Sequence, residues 1–228
     1  LLQLTVFDLV PEEYHGQFQS ISLLESSQSE WYFETHNRRK GGEHFPVEVK
    51  IKRIHLDNEP IFLAVVRDIA ARKEYEQKLQ LFEKVFNNAL EGISITDKTG
   101  TIIAINNAFT SITGYESDEV VGNNPRVLKS DRHSDSFYKN MWKDLQEKGQ
   151  WEGEIWNRRK SGETYPEWLS ISDIRDADGD ISHYVAVFHD ITDMKHKEEQ
   201  IQHQAYHDAL TDLPNRLLLH DRIQVAIS

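Results

Sequence analysis

The chain has 228 residues, with 26 Lys and Arg against 38 Asp and Glu, for a net charge of −12 at pH 7. That balance argues against duplex nucleic acid and an anionic membrane surface as partners, because both are held mainly through Lys and Arg. There is no cysteine, which removes disulfides, thiolate metal sites and cysteine nucleophiles together and fits a reducing, cytoplasmic compartment. No apolar run approaches 18 residues, so no segment is expected to cross a bilayer. The chain opens Leu1-Leu2-Gln3 and reads as an internal piece of a longer protein, which leaves a membrane anchor upstream open.

The chain repeats itself. Trp31 is followed by Asn37-Arg38-Arg39-Lys40-Gly41-Gly42-Glu43 and Pro46, and Trp151 by Asn157-Arg158-Arg159-Lys160-Ser161-Gly162-Glu163 and Pro166. Val65-Val66-Arg67-Asp68-Ile69 returns as Val187-Phe188-His189-Asp190-Ile191. The spacing grows by two between these matches, so an indel falls in the polar loop His55–Pro60, where a surface turn tolerates it. Val6–Pro11 reads as the lead-in to a long helix of copy one. A polar stretch with helical spacing follows each copy. The first covers residues 71–81, with Tyr75, Leu79, Phe82 and Phe86 on one stripe, and the second residues 194–206, with Met194, Ile201 and Ala205 on one side. Such narrow stripes suit a two-stranded seam, so a homodimer through these linker helices is expected.

Copy two can be read element by element. Ile93–Thr96 alternates, Asp97-Lys98-Thr99-Gly100 turns, and Thr101–Asn106 returns, which makes a hairpin. Asn107–Thr113 reads as a short helix closed by Gly114, and Ser117 as the cap of another, ended by Gly122. Ser134 begins a longer helix with Phe137, Met141, Trp142 and Leu145 inward, and Gly149 ends it. Three strands follow, at Trp151–Arg158, Thr164–Arg175 and Ile181–His189, with turns at Lys160-Ser161-Gly162 and Asp178-Gly179-Asp180. The predicted fold is α+β: a five-stranded antiparallel sheet with helices on one face, repeated and joined by linker helices.

This order resembles the PAS domain with its C-terminal PAC motif. The matching residues are Ile95-Thr96-Asp97 with Gly100, Ile105-Asn106-Asn107-Ala108-Phe109, Thr113-Gly114-Tyr115, Gly122-Asn123-Asn124-Pro125-Arg126, Trp151-Glu152-Gly153-Glu154, Asn157–Lys160 and Asp190-Ile191-Thr192. The resemblance implies a C-terminal part of a first PAS domain over residues 1–70, a linker helix over 71–81, a complete second PAS domain over 82–193, and a signalling helix over 194–206. It also implies a sensory module whose stimulus reaches the output through the helices, with Asp68, Asp190, Ile191 and Thr192 as the coupling residues. Asp190 is expected to accept bonds from the helix-start amides or from a basic side chain.

The same resemblance frames the cofactor question. Flavin-binding light sensors of the family carry a cysteine where this chain has Pro125, so a photoadduct is excluded. Non-covalent FAD remains an occupant for the second pocket, with Asn124, Trp142, Trp156, Asn157 and Arg158 as the residues to hold it. Haem, with His133 as its axial ligand, is a less favoured occupant. An unidentified small molecule, or none in a pure dimerisation and protein-interaction module, completes the set.

The last residues resemble the start of a GGDEF diguanylate cyclase domain, whose pattern D-x-L-T-x-L-x-N-R is met at Asp208, Leu210, Thr211, Leu213, Asn215 and Arg216. Residues 207–228 would be its truncated beginning, so the resemblance implies cyclic di-GMP output from a parent protein and no catalysis here. Other chemistry is weak. His207-Asp208 lacks the glutamate of a histidine-kinase phosphoacceptor, and His203 with His207 has the helical i, i+4 spacing of a zinc pair but no third ligand. Asp176-Asp178-Asp180 reads as a turn and not a calcium loop. No catalytic set, phosphate loop or metal site is expected.

Overall fold

The computed structural model describes residues 5–16, 30–57, 59–208 and 213–215. The chain divides into two compact units, Leu1–Glu83 and Lys84–Ser228.

In the first unit a four-residue helix, α1 (Val6–Leu9), leads to three antiparallel strands, β1 (Glu30–Arg38), β2 (His44–Leu56) and β3 (Glu59–Asp68), in the order β1-β2-β3. The long helix expected after Pro11 falls largely on residues 17–29, outside the described residues. On β2 the alternation is decisive: Val47, Val49 and Ile51 are buried, and Trp31, Phe33 and Phe45 pack against them. The β2–β3 turn puts Asp57 at φ 50°, a left-handed geometry that Asp tolerates better than most residues. Helix α2 (Ala70–Asn88) follows. It runs well past the boundary expected at residue 81, because Phe82, Val85 and Phe86 continue the apolar spacing and no Gly or Pro stops it.

The second unit has the predicted order. Strands β4 (Gly92–Asp97) and β5 (Ile102–Ile105) form the hairpin; helices α3 (Asn107–Thr113), α4 (Ser117–Val120) and α5 (Asp135–Lys148) follow. Strands β6 (Gln150–Arg158), β7 (Thr164–Arg175) and β8 (Ile181–Asp190) complete a sheet of order β5-β4-β8-β7-β6, and α6 (Thr192–Tyr206) leaves it. Asn106 ties the hairpin to both of its neighbours. Its Oδ1 accepts from Phe109 N at 3.0 Å and Ile93 N at 2.8 Å, and its Nδ2 donates to Phe86 O and Glu91 O. Gly92 is required by contact: a Cβ there would lie 2.4 Å from the Phe188 ring. One expected cap moves. Glu116, not Ser117, is the N-cap of α4, and its own N–H donates to the Glu119 carboxylate at 2.9 Å, a capping-box arrangement. Ser134 does cap α5, accepting from Phe137 N, and Gly149 closes it at φ 74°.

The core of this unit gathers Ile102, Phe109, Val120, Leu145, Ile155, Leu169, Tyr184 and Phe188 between the helices and the sheet. Trp142, expected inward, is 39% exposed at the rim, with its ring edge-to-face on Tyr184 at 5.8 Å. The residue trio Asp176, Asp178 and Asp180 is a turn: Asp176 Oδ1 accepts from the N–H groups of Asp178 and Asp180. His203 and His207 stack ring on ring at 4.1 Å, and no cluster of three metal-ligating side chains occurs among the described residues.

Candidate functional site

A cavity of about 700 Å³ opens between the helices and the sheet of the second unit, a volume typical of small-molecule sites. Its walls are apolar, from Leu128, Met141, Ile155, Leu169, Ile171 and Phe188, and its mouth carries Lys98, Arg126 and Lys129. A few polar groups converge inside: Ser94, Thr96, Asn157, Glu167 and Tyr138. The Tyr138 hydroxyl is buried and has no hydrogen-bond partner among the described residues, so it is a group that a ligand can satisfy.

Strand alternation decides which predicted site residues reach this space. On β6, Ile155 and Asn157 face the cavity. Trp156 and Arg158 lie on the opposite face, which corrects their expected place in the pocket. Trp156 is covered there by the Arg132 guanidinium at 3.6 Å, and Arg158 pairs with Asp131 at 2.6 Å. Asn124 and Trp142 line the cavity. The Asn124 amide is already engaged, with Nδ2 donating to Gly100 O and Oδ1 accepting from Arg126 N. His133 is not aimed at the cavity. Its Nε2 accepts from Trp156 N at 2.9 Å and its ring stacks on Phe137, so the nitrogen a haem iron would need is occupied. Burial holds His133 below the usual histidine range.

Glu167, which no sequence motif marks, is the most unusual group in the wall. It is 1% exposed. Asn157 Nδ2 donates to its Oε1 at 2.8 Å, and the Tyr165 hydroxyl donates to its Oε2 at 2.7 Å. Burial pushes its carboxyl up from 4.5 to about 7, against the two bonds that favour the anion. The signal was present in the pattern: within Thr164–Arg175 the inward register is Tyr165, Glu167, Leu169, Ile171, and a charge in that series is out of place.

The strand-to-helix joint lies beside this wall. Asp190 Oδ1 accepts from Thr192 N at 2.8 Å and from Thr192 Oγ1 at 2.5 Å, and its Oδ2 receives Arg159. These bonds hold the Asp190 carboxyl below its ordinary range despite partial burial. Arg159 also donates to Ile112 O and lies over the Tyr165 ring at 4.0 Å. Ile191 is buried, and its N–H donates to Pro166 O at 3.0 Å. Copy one repeats the joint. Asp68 accepts from Ala70 N at 2.9 Å and from Arg39 at 3.0 Å, Arg39 lies over Phe45 at 4.1 Å, and Ile69 N donates to Pro46 O.

The comparisons agree with this architecture. A PAS domain family model matches residues 1–71 and 90–193. The chain belongs to the PAS domain family. It is 30% identical over 148 residues to a nitrogen fixation regulatory protein of Klebsiella oxytoca, covering 64% of this chain and 30% of that protein. It is 33% identical over 147 residues to a bacterioopsin transcriptional activator of Halobacterium salinarum, covering 63% of this chain and 22% of that protein. The chain thus spans less than a third of the length of these relatives. An RNA-binding light-oxygen-voltage receptor shares the fold at a TM-score of 0.50 and 12% identity, over 87% of this chain and 88% of the other. By their names the two curated relatives are a regulatory protein and a transcriptional activator. No helix among the described residues is long and apolar enough to cross a membrane.

Proposed function

We propose that the second unit is the sensory input of a longer signalling protein, and that its cavity takes a small, flat, largely apolar ligand with a hydrogen-bonding edge. The observation that carries this reading is continuity. Tyr184, Ala186 and Phe188 of β8 line the cavity, and the same strand ends on Asp190, which holds the first turn of α6. A change in the packing of β8 therefore reaches α6 without an intermediary.

A flavin ring fits this chemistry. Asn157 and Glu167 form a polar edge on one wall, Tyr138 offers a free hydroxyl, and Trp142 stands at the rim. When bound, such a ring supplies redox chemistry, while the residues of this chain orient it and respond to its charge. Pro125 offers no thiol, so light could not form a thioether here.

Downstream, Asp208, Leu210, Thr211, Leu213, Asn215 and Arg216 support a diguanylate cyclase output, with cyclic di-GMP as the product of the parent protein. Of these, Leu210, Thr211 and Arg216 lie outside the described residues. Two such domains must face each other to join two nucleotides, so rotation of paired α6 helices would control output.

A second reading, a dimerisation and interaction module without a ligand, has its own support. Tyr75, Leu79, Phe82 and Val85 on α2 are all more than half exposed, as are Met194 and Ile201 on α6. An absorbance spectrum of the purified protein from 300 to 700 nm, with mass spectrometry of the denatured extract, separates the two. A chromophore or a stoichiometric small molecule supports the sensory reading. A colourless, ligand-free protein that still dimerises supports the module.

A further inference from the structure

The two copies share their joint but not their wall. Arg39, Asp68 and Ala70 reproduce the bonds of Arg159, Asp190 and Thr192. At the position of Tyr165, however, copy one has Phe45, and at that of Glu167 it has Val47, which is fully buried. The apolar pair suffices to build the sheet and the joint. The hydroxyl and the carboxyl in copy two therefore serve something other than folding, since burying them costs free energy that Phe and Val avoid. We infer that Glu167 is a proton-carrying coupling residue: gain or loss of its proton inside the cavity is passed through Tyr165 and Arg159 to Asp190 and the first turn of α6.

The chemistry follows from donor and acceptor counts. As a carboxylate, Glu167 accepts from both Asn157 and Tyr165. As a neutral acid it must donate once. The Asn157 amide nitrogen cannot accept, whereas a tyrosine hydroxyl can. The proton therefore sits on Oε2, and the Tyr165 hydroxyl turns its own hydrogen away. On ionisation the proton leaves to cavity water or to a basic ligand, and Tyr165 turns back to donate. Arg159, lying over that ring, then has two anions to serve, Asp190 and Glu167. Glu167 and Asp190 are also direct register partners across β7 and β8, so a second negative charge repels the carboxylate that holds Thr192. The charged and titratable groups around Glu167 are Arg159 from the β6–β7 turn, Asp190 from β8, Tyr165 on its own strand and Tyr138 from α5, whose ring lies under Lys129 at 4.6 Å. A ligand that brings N–H donors or a positive charge to this wall favours the anion, and one that brings only acceptors keeps the acid protonated. This extends the sensory reading, and it can fail while the cavity still binds a ligand.

Amide hydrogen exchange of Thr192 and Lys195, followed by NMR in the unliganded protein from pH 5.5 to 8.5 and corrected for intrinsic rates, tests it. Surface histidines also change charge in that range, so the readout is the difference between the wild type and Glu167→Gln. Protection in the wild type should fall by roughly threefold or more through about pH 7, and stay level in Glu167→Gln. Tyr165→Phe, which installs the copy-one residue and keeps the packing, should make the fall clearly smaller while leaving Glu167 in place, because only the direct repulsion between the Glu167 and Asp190 carboxylates then remains. If the wild type shows no fall, or if Glu167→Gln or Tyr165→Phe shows the same fall, the coupling role is wrong.

Discussion

Tyr165 donates its hydroxyl hydrogen to Glu167 across 2.7 Å inside the sheet of the second unit. The bond has no counterpart in copy one, where the matching residues are Phe45 and Val47. A repeat that keeps the strand-to-helix joint and changes the wall behind it separates what the fold needs from what the cavity adds.

The joint itself should carry stability. Asp190→Ala removes the acceptor for Thr192 N and Oγ1 and takes one of its two carboxylate partners from Arg159, only 19% exposed at its side chain, leaving it Glu163 at 3.3 Å and the Ile112 carbonyl. Loss of the cap and of a charge-assisted bond should cost about 1–3 kcal/mol in urea unfolding. Asp68→Ala should cost less, because the Arg39–Asp68 pair is nearly half exposed and is screened by water.

Glu167 should make stability fall as pH rises. Its value in the folded state lies near 7, above its ordinary 4.5, so the folded chain holds the proton more tightly than the unfolded one. The contribution is fully present below about pH 4.5, is lost between 4.5 and 7, and is absent above. Its size is about 3 kcal/mol at most. Glu167→Gln cannot ionise, so its urea midpoint relative to the wild type should rise between pH 5 and pH 8. Equal shifts in both proteins over that range would count against a protonated Glu167.

Gly92→Ala should be severe although the backbone there is ordinary. The new methyl would meet three Phe188 ring atoms within 2.8 Å, and Phe188 is 2% exposed in the core and lines the cavity. Overpacking of this kind should cost about 1–3 kcal/mol in a thermal or urea melt. Gly162→Ala is a contrasting test. Nothing lies within 4 Å of the added methyl, and only its φ of 92° resists it, so the loss should be smaller, about 1 kcal/mol.

Much of this was legible in the residues because periodicity and punctuation agreed. Strand β7 has the predicted bounds, whereas α6 begins at Thr192, two residues before the expected 194, because the Asp190 carboxylate takes a first-turn N–H and starts the helix early. The cavity was less legible. Trp156 and Arg158 belong to the motif that points to the cavity, yet on a strand they face away from their neighbours Ile155 and Asn157. Glu167 went unnoticed because its meaning depends on register: only the inward series Tyr165, Glu167, Leu169 shows that the charge is buried. Helix α2 runs to Asn88 and not to the expected residue 81, because no helix-stopping residue enforces a boundary there.

The central claim is that the cavity and α6 are mechanically coupled through β8 and Asp190. Its most direct test fills the cavity without any ligand. Leu169→Phe enlarges a buried wall residue, and Asp190→Asn weakens the joint while keeping its shape. Amide exchange at Thr192 and Lys195 should change by roughly threefold or more in Leu169→Phe, and that change should vanish when Asp190→Asn is added. An unchanged first turn of α6 in a folded Leu169→Phe protein, or the same change with and without Asp190, would contradict the coupling.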